Sequence, residues 1–312
     1  MDPQLTCIQP GGGVVVKLEL AWGYVRRWYL KTFRKGYIAR MQQTRQGEQN
    51  ACPHEVLDPR DLKFHRNQNG YWWADEDDPF RWRERIPFAR VGLAELLLLC
   101  VICFGGTAGL TALALTKFPG NIFVWLGVAT LAVIGLLIVW FFRDPNRKVS
   151  TEAGLVVSPA DGKVVAIDEI EHDEFIGGPA INIGIFLSIF NVHINRTPVA
   201  ARVIGLSYKK GKMLNALRPE SVRENEQLAI RIESNEPGHR RMIIRQITGA
   251  IARRIVCWLK PGDNLDRGEQ VGMIKFGSRT ELVIPKEDGL TIETQIGQNV
   301  KAGSCILARY SD

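Results

Sequence analysis

The stretch LLLLCVICFGGTAGLTALALT, residues 96–116, contains no charged side chain, and neither does NIFVWLGVATLAVIGLLIVWFF, residues 121–142. Each stretch has about the 20 residues that a helix needs to cross the hydrocarbon core of a bilayer. Only residues 117–120, KFPG, separate them, and Pro and Gly there favour a tight turn. The two stretches therefore predict a transmembrane helical hairpin. The mean hydropathy of −0.06 resembles that of a soluble protein only because it averages the hairpin with polar flanks.

The charges beside the hairpin predict its orientation. Arginine and lysine lie on both outer flanks, at Arg81, Arg83, Arg85 and Arg90 before it and at Arg143, Arg147 and Lys148 after it. By the positive-inside rule, both ends of the chain face the cytoplasm. We therefore expect a cell-membrane protein whose C-terminal domain lies on the cytoplasmic face. Next to such spans, the net charge of +7 predicts an anionic membrane, and not nucleic acid, as the partner.

The N-terminal segment, residues 1–90, is predicted to be a mixed and partly helical extension. Residues 14–45 combine apolar and aromatic side chains with lysine and arginine, and no acid lies between Ala21 and Arg45. Such a segment fits an amphipathic helix on an anionic lipid surface. It fits equally a basic helix that packs on the body of the protein and shows a solvated face.

The cysteines and histidines of the chain predict neither a disulfide framework nor a metal site. The six cysteines are scattered, and Cys100 and Cys103 lie in the first apolar stretch, which fits a reducing compartment. Cys52, His54 and His65 match no common zinc spacing and are too few for a closed site. No metal is therefore expected.

From residue 149 to 312 the sequence changes to short β-branched runs, separated by Gly, Pro, Asn and Asp as between strands. The runs are Leu155–Val157, Lys163–Ile167, Ile181–Phe186, Arg202–Leu206, Ala229–Ile232, Met242–Ile247, Ile251–Trp258 and Thr280–Ile284. Turn-plus-strand units near residues 259–272 and 297–307 are similar to those of barrel-sandwich domains. We predict a mainly β, barrel-sandwich-like domain at 149–312, preceded by the hairpin at 91–148. Lys209–Asn225 is expected to be an ordered loop with helical turns.

Three motifs in the β-rich domain carry side chains that could do chemistry. SPADGK, residues 158–163, is a turn signal that includes Asp161. FLSIFNVHINRTP, residues 186–198, places His193 at the end of an apolar strand. A histidine can act as acid or base near neutrality, although a lone histidine is more often a structural hydrogen-bonding group. YKKGKMLNA, residues 208–216, has cations and a glycine that could meet a phosphate, although basic loops are usually only solvated.

A fourth motif, KFGSRT at residues 275–280, contains a Gly-Ser bond at a predicted strand end. Glycine allows unusual backbone angles there, and the hydroxyl of Ser278 lies within reach of the carbonyl of Gly277. With a nearby base, Ser278 could attack that carbonyl and form an ester. Elimination from the ester would leave dehydroalanine, which hydrolyses to a pyruvoyl group.

In this order the four motifs resemble those of the phosphatidylserine decarboxylases. The resemblance runs from about Trp140 to the C-terminus, and it includes the arginine-bearing membrane exit, Asn225-Glu226 and the Gly-Ser pair. The hairpin is similar to that of the short, two-helix anchored branch of the family. The first 90 residues match no part of the family pattern.

The resemblance implies a pyruvoyl-dependent carboxy-lyase. Self-cleavage between Gly277 and Ser278 would divide one precursor into a large chain, 1–277, and a small chain, 278–312, and Ser278 would become the covalent pyruvoyl cofactor. Its ketone would form a Schiff base with the amine of phosphatidylserine, and loss of CO2 would give phosphatidylethanolamine. The resemblance also makes His193 an acid or base in decarboxylation and ties Asp161 to self-cleavage.

The resemblance assigns substrate binding only by charge, and the sequence departs from the pattern of the longer branch. Arg196, Lys210 and Lys212 are candidates for contacts with the anionic headgroup. Asn191 stands where the longer branch often has an aspartate, and Arg196 stands where it has a second histidine. The group that activates Ser278 is therefore open. A homodimer is compatible with this interpretation.

Other interpretations stay open at the level of sequence. Two spans followed by a barrel-sandwich-like domain could form a non-catalytic membrane adaptor, which would need no cleavage at Ser278. A family relative that has lost activity would fit the departures at Asn191 and Arg196. A pyruvoyl enzyme for a soluble amino acid is disfavoured because such a substrate needs no bilayer anchor.

Overall fold

A computed structural model describes residues 14–44, 81–218, 220–250, 254–259, 261–275 and 278–311. Cys52, His54, His65 and Gly277 lie outside these residues, as does much of the predicted N-terminal extension. The chain divides into two compact units, of which one spans Trp82–Pro145 and the other comprises the described residues before and after it. The predicted division into segments 1–90, 91–148 and 149–312 stays a prediction.

The described part of the N-terminal extension is helical, as predicted. Helix α1 (Val14–Phe33) and helix α2 (Lys35–Thr44) follow each other directly. On α1, the aromatic rings of Tyr24, Trp28 and Phe33 are each about 60% exposed or slightly more. These rings are therefore not part of the core of the unit.

Both apolar stretches form helices, as predicted. Two 3-10 turns, Arg81–Arg85 and Arg90–Gly92, lead into α3 (Leu93–Thr116), and α4 (Ile122–Phe141) follows after a short turn. Asn121 caps α4, because its side chain accepts a hydrogen bond from the amide of Phe123 at 2.9 Å. By length and composition the two helices could cross a membrane.

Small residues allow α3 and α4 to approach each other closely. A Cβ atom at Gly135 would lie 2.9 Å from the ring of Phe104, and one at Gly106 would lie 3.0 Å from Leu131. Glycine at such contacts is typical of packed membrane helices, where van der Waals contact replaces the hydrophobic effect. Thr107 donates its hydroxyl proton to the carbonyl of Cys103 at 2.7 Å, so this polar group is satisfied within the helix.

The rest of the described chain is mainly strand, which confirms the predicted fold class. The strands are β1 (Leu155–Val157), β2 (Gly162–Asp173), β3 (Gly178–Leu187), β4 (Ile194–Arg196), β5 (Ala201–Lys209), β6 (Gln227–Ser234), β7 (Arg241–Thr248), β8 (Arg254–Cys257), β9 (Asn264–Leu265), β10 (Gln270–Lys275), β11 (Ser278–Pro285), β12 (Leu290–Ile292), β13 (Asn299–Val300) and β14 (Ile306–Tyr310). One helical turn, α5 (Ser221–Glu224), lies in the segment predicted as a loop with helical turns.

The strands form three antiparallel sheets. A curled sheet has the order β13-β2-β3-β11-β7-β6-β5-β9, a second has the order β4-β10-β8, and a third has the order β1-β14-β12. In the curled sheet β11 lies between β3 and β7, and every residue of β11 is buried. The strand that starts at Ser278 is therefore enclosed on both faces and along both edges.

Isoleucine and leucine fill one face of the curled sheet around β11. The fully buried members of this set are Ile183, Ile185, Leu187, Leu228, Ile230, Ile232, Ile244, Leu282 and Ile284. They recur at every second position because successive side chains of a strand point to opposite faces. Ser278 and Thr280 continue the same alternation on β11, so two hydroxyl groups stand at one end of this apolar face.

Candidate active site

Ser278 begins β11, a strand in the middle of the curled sheet. Its Cα atom is paired with Leu187 on β3 and with Thr248 on β7. The side chain is fully buried, and within the described part of the chain its Oγ atom has no hydrogen-bond partner. An unsatisfied buried hydroxyl costs about 1–3 kcal/mol, so it calls for an explanation. This cost makes Ser278 a candidate functional residue.

His193 reaches the site through a tight turn after β3. The side-chain oxygen of Asn191 accepts hydrogen bonds from the amide of Ser188 at 2.9 Å and from its hydroxyl at 2.7 Å. The turn leaves the carbonyl oxygen of Asn191 at 2.9 Å from Nδ1 of His193. Because a carbonyl can only accept, Nδ1 carries the proton, and in the neutral ring the lone pair lies on Nε2. The side chain of Asn191 thus builds a turn whose backbone fixes the tautomer of His193.

The backbone places His193 near the strand junction that contains Ser278. The carbonyl of His193 accepts a hydrogen bond from the amide of Ile274 at 3.3 Å, near the end of β10. Ser278 follows Ile274 by four residues along the chain. The turn that precedes His193 begins after Leu187, the strand partner of Ser278. The structure therefore brings the second and fourth sequence motifs to one corner of the domain.

A buried polar network ties β4 to the curled sheet. Asn195 donates from Nδ2 to the hydroxyl of Thr280 at 2.9 Å, and Gln246 donates from Nε2 to the side-chain oxygen of Asn195 at 2.9 Å. All three side chains are fully buried, and Gln246 and Thr280 are strand partners. The network fixes β4, which directly follows His193, relative to β11, which begins at Ser278. The sequence signal for this network, which the motifs did not include, is the pair of alternate polar residues at the end of β7 (Gln246, Thr248) and at the start of β11 (Ser278, Thr280).

Asp161 lies in a different set of contacts. Its two carboxylate oxygens each lie 2.8 Å from Nη2 of Arg147, and Oδ1 also accepts from the amide of Ala302 at 2.8 Å. Lys163 and Arg279 face each other across β3, so the start of β2 lies two strand spacings, about 10 Å, from the start of β11. Asp161 is thus paired with a buried cation and anchors the segment that leads into the sheet.

The loop with Lys210 and Lys212 packs beside Ser278. Asn225 accepts a hydrogen bond from the amide of Leu214 at 2.7 Å and donates to the carbonyl of Thr248 at 2.7 Å. Since Thr248 is the strand partner of Ser278, Asn225 holds the loop at the site. The third motif, residues 208–216, and the Asn225-Glu226 pair therefore lie in the same region as the second and fourth motifs.

The three candidate cations are in different surroundings. Lys212 is exposed and forms an ion pair with Glu224 at 2.8 Å, whereas Lys210 is exposed and lies near the buried carboxyl of Glu226. Arg196 donates from Nη1 to the carbonyl of Gly268 at 3.0 Å. The structure therefore brings the two lysines together in one loop and engages Arg196 with a backbone carbonyl outside that loop.

Glu226 is a buried titratable group and Tyr208 a half-buried one, and the sequence motifs gave neither a role. The carbonyl of Glu226 accepts from the amide and from the hydroxyl of Thr248, at 3.0 and 3.1 Å. Burial raises the pKa of the Glu226 carboxyl, while a hydrogen bond from Tyr208 and the charges of Arg254 and Lys210 oppose that rise. Burial and the neighbouring Glu226 raise the pKa of Tyr208 to about 12. A residue whose carboxyl pKa is raised by burial is therefore hydrogen-bonded through its backbone to the strand partner of Ser278.

Comparison with known proteins identifies the family. The family model described as phosphatidylserine decarboxylase matches residues 134–308, which include all four motifs. The chain belongs to the phosphatidylserine decarboxylase family. This is a family of carboxy-lyases, and the match covers the whole β-rich domain apart from its last residues.

Several curated relatives are similar over most of the chain. A phosphatidylserine decarboxylase proenzyme of Rhodopirellula baltica is 51% identical over 249 residues, 80% of this chain and 99% of the relative. One of Syntrophus aciditrophicus is 40% identical over 233 residues, 75% of this chain and 99% of the relative. One of Symbiobacterium thermophilum is 42% identical over 185 residues, 59% of this chain and 84% of the relative. The word proenzyme implies self-processing in the family, and none of these three relatives is named as an adaptor.

Proposed function

We propose that this chain is a phosphatidylserine decarboxylase that makes its own pyruvoyl group by cleavage between Gly277 and Ser278. It would convert phosphatidylserine to phosphatidylethanolamine and CO2. The observation that carries the proposal is the buried hydroxyl of Ser278, which lies at the first position of a fully enclosed strand without a partner among the described residues. The family membership and the names of the relatives support the same conclusion.

The self-cleavage step follows from the chemistry of the Gly-Ser junction. The Oγ atom of Ser278 attacks the carbonyl carbon of Gly277 and loses its proton to a base, and the C–N bond between the residues breaks to give an ester. Loss of the α-proton of residue 278 then expels the ester oxygen, which leaves a carboxylate on Gly277 and dehydroalanine at 278. Dehydroalanine takes up a proton at its β-carbon to become an imine, and water hydrolyses that imine, so the former serine nitrogen leaves as ammonia and a pyruvoyl group remains.

The residues around position 278 fit this group. It would replace Ser278 on a backbone held between Leu187 and Thr248, on the face where a polar side chain is already buried. When formed, the group supplies an electron-withdrawing carbonyl for loss of CO2 from an amino acid. His193 is the candidate that holds and moves a proton, because the backbone contact at Nδ1 leaves the neutral ring with its lone pair on Nε2.

The other site residues receive positioning or binding roles in this proposal. Asp161 would act in maturation by holding its segment in place through Arg147 and Ala302, rather than as a free base. Lys210 and Lys212 would meet the anionic part of the headgroup, since both are exposed on the loop that Asn225 fixes. Arg196 stays a candidate for the same role through its charge.

The sheet explains how the two chains of one precursor would stay together. After cleavage, β11 would still pair along its whole length with β3 and over six residues with β7, both in the large chain. Strand β14 of the small chain pairs with β1 of the large chain. Hence the new N-terminus would be held in the core by backbone hydrogen bonds that do not depend on the cleaved bond.

The surroundings of the enzyme belong to the proposal as well. The two apolar helices would anchor it in the cell membrane, with the β-rich domain on the cytoplasmic face as the basic flanks predict. Anionic phospholipid would then form the membrane surface beside the domain and would also supply the substrate. A homodimer is compatible with this arrangement.

Intact mass of the purified full chain tests the proposal. We expect two chains, of which the smaller contains the 35 residues 278–312 and is lighter than its encoded mass by one ammonia. Ser278→Ala should stay a single 35.0 kDa chain and release no labelled CO2 from phosphatidylserine. The matched control, Ser304→Ala, changes a serine of the small chain outside the site and should mature normally. CO2 release by the uncleaved Ser278→Ala chain would refute the pyruvoyl assignment, and a wild-type chain that stays uncleaved and inactive in its membrane would favour the inactive relative.

A further inference from the structure

Two loops near the candidate site carry exposed apolar side chains at their tips. Ile189 and Phe190 form the tip of the turn after β3 and are 45% and 58% exposed. Leu217, in the loop before α5, is 56% exposed. Single exposed apolar side chains are ordinary, but apolar side chains at the tips of two loops around one site indicate a contact surface.

The register of the curled sheet shows that both tips emerge at the same end of it. Leu187, the last residue of β3, is paired with Ser278, and Ser278 is paired with Thr248, the last residue of β7. The first tip follows Leu187 directly. The second tip is tied to Thr248 through Asn225, which donates to the carbonyls of Thr248 and Leu214. The two attachment points lie two strand spacings, about 10 Å, apart.

Positive charge surrounds the second tip. The exposed cations between residues 209 and 224 are Lys209, Lys210, Lys212, Arg218 and Arg223, and the exposed carboxylates there are Glu220 and Glu224. Five cations and two carboxylates leave an excess of three positive charges. The pair between Lys212 and Glu224 lies at the surface, where an ion pair contributes little, so it does not cancel the attraction of the loop for anions.

We propose that this tip surface, made of Ile189, Phe190, Leu217 and the cations of residues 209–223, docks on an anionic phospholipid bilayer. The three apolar side chains enter the boundary between headgroups and acyl chains, and the cations lie among the phosphates. An apolar centre with a cationic surround matches a lipid interface, whose own layers are apolar below and anionic above. A protein partner would instead need a complementary acidic and apolar surface.

This docking deepens the proposed function, because it explains how a lipid headgroup reaches a buried residue. The tips flank the end of the sheet where Ser278 lies, so a bilayer beneath them would present its headgroups to that end. The helical anchor keeps the domain near the membrane, and the tip surface would orient it there. The test of docking is chosen so that it does not depend on turnover.

The first experiment measures contact with lipid directly. The full chain is reconstituted into vesicles of phosphatidylcholine and phosphatidylglycerol, and an environment-sensitive dye is attached at Phe190→Cys or Leu217→Cys after replacement of the reactive native cysteines by serine. Ile204→Cys is the matched control, since Ile204 is 40% exposed on β5. Across the sheet, Ile204 is level with Met242 on β7. Met242 precedes Thr248 by six residues, so the control position is about 20 Å from the end of the sheet that contains Ser278.

The expected outcome is distinct for the two ends of the sheet. Dyes at positions 190 and 217 should shift to the blue and be quenched about twofold by lipids that carry a nitroxide near the headgroup, whereas the dye at 204 should not. Vesicles of phosphatidylcholine alone should weaken the quenching, because the cations then lose their partners. Equal behaviour at all three positions would overturn the proposal. A blue shift without quenching by lipid would overturn it in favour of a protein contact.

A second experiment links docking to catalysis. Phe190→Ser combined with Leu217→Ser should lower CO2 release from phosphatidylserine in vesicles about tenfold, since it removes two apolar anchors. The same variant should keep its rate on a short-chain, monomeric phosphatidylserine, and Ile204→Ser should change neither rate. An equal loss on both substrates would contradict docking and indicate a role in folding or chemistry. If the unmodified chain turned over neither substrate, the proposed function would fail, while the quenching result would still decide the docking.

Discussion

Thr280→Val should weaken the connection between the two halves of the candidate site. The substitution nearly keeps the volume of the side chain but removes the hydroxyl that accepts from Nδ2 of Asn195 at 2.9 Å. Nδ2 would then keep only its 3.4 Å contact with the carbonyl of Pro159. Since Asn195 is fully buried, no solvent can replace the lost partner.

The structure sets the size of this effect. A buried amide donor that loses its good partner costs about 1–3 kcal/mol. For a domain of this length, about 2–4 °C of Tm corresponds to 1 kcal/mol, so Tm should fall by about 2–12 °C. Self-cleavage should slow as well, because His193 directly precedes β4 and Ser278 begins β11, and the network fixes these two strands relative to each other.

Two measurements on the same purified variants check this prediction. The fraction of uncleaved 35.0 kDa chain over time reports maturation, and thermal unfolding in detergent reports stability. Thr280→Ser keeps the hydroxyl and should restore both. Thr291→Val, the same substitution at an exposed position of β12, is the control and should be close to neutral. If Thr280→Val behaved like Thr291→Val, the network would not connect the two strands as argued.

Three further predictions concern the surroundings of the site. Arg147→Met should destabilise the chain by about 3–5 kcal/mol in thermal unfolding, because it leaves the buried carboxylate of Asp161 without its cation. Burial raises the pKa of the Glu226 carboxyl, so the stability that this shift contributes is fully present below the ordinary pKa of 4.5 and is lost as pH rises through the raised pKa. Glu226→Gln should flatten that fall in stability, and an unchanged pH profile would contradict the prediction. Gly154→Ala should cost more stability than Gly177→Ala. Both glycines have positive φ, but only at Gly154 would a Cβ atom meet a backbone oxygen, at 2.4 Å. Equal losses of stability in denaturant titration would contradict the clash.

Local signals were enough to predict the helical hairpin. The apolar stretches 96–116 and 121–142 became Leu93–Thr116 and Ile122–Phe141, with ends that differ by no more than three residues. The length of an uncharged run, a Pro-Gly break and an Asn cap are all written in neighbouring residues. The β-branched runs likewise predicted strands, because alternation and turn residues act over short distances.

The motifs of the site were visible in the sequence, but their arrangement was not. Sequence comparison could place Ser278, His193 and Asp161 in one family pattern, yet it gave Asp161 no partner. Only the fold shows that Arg147 and the amide of Ala302, at distances of 14 and 141 residues along the chain, meet this carboxylate. Nothing in the local sequence encodes such a pairing.

The sequence by itself determined the elements of this protein: which runs are helices, which are strands, and where the candidate Gly-Ser bond stands. The tertiary structure alone decided that the strand of Ser278 lies between β3 and β7, and that Asn195 connects it to β4. The physical reason is that an element forms from interactions between near neighbours, whereas strand order and buried polar contacts depend on the packing of segments that are far apart in the chain.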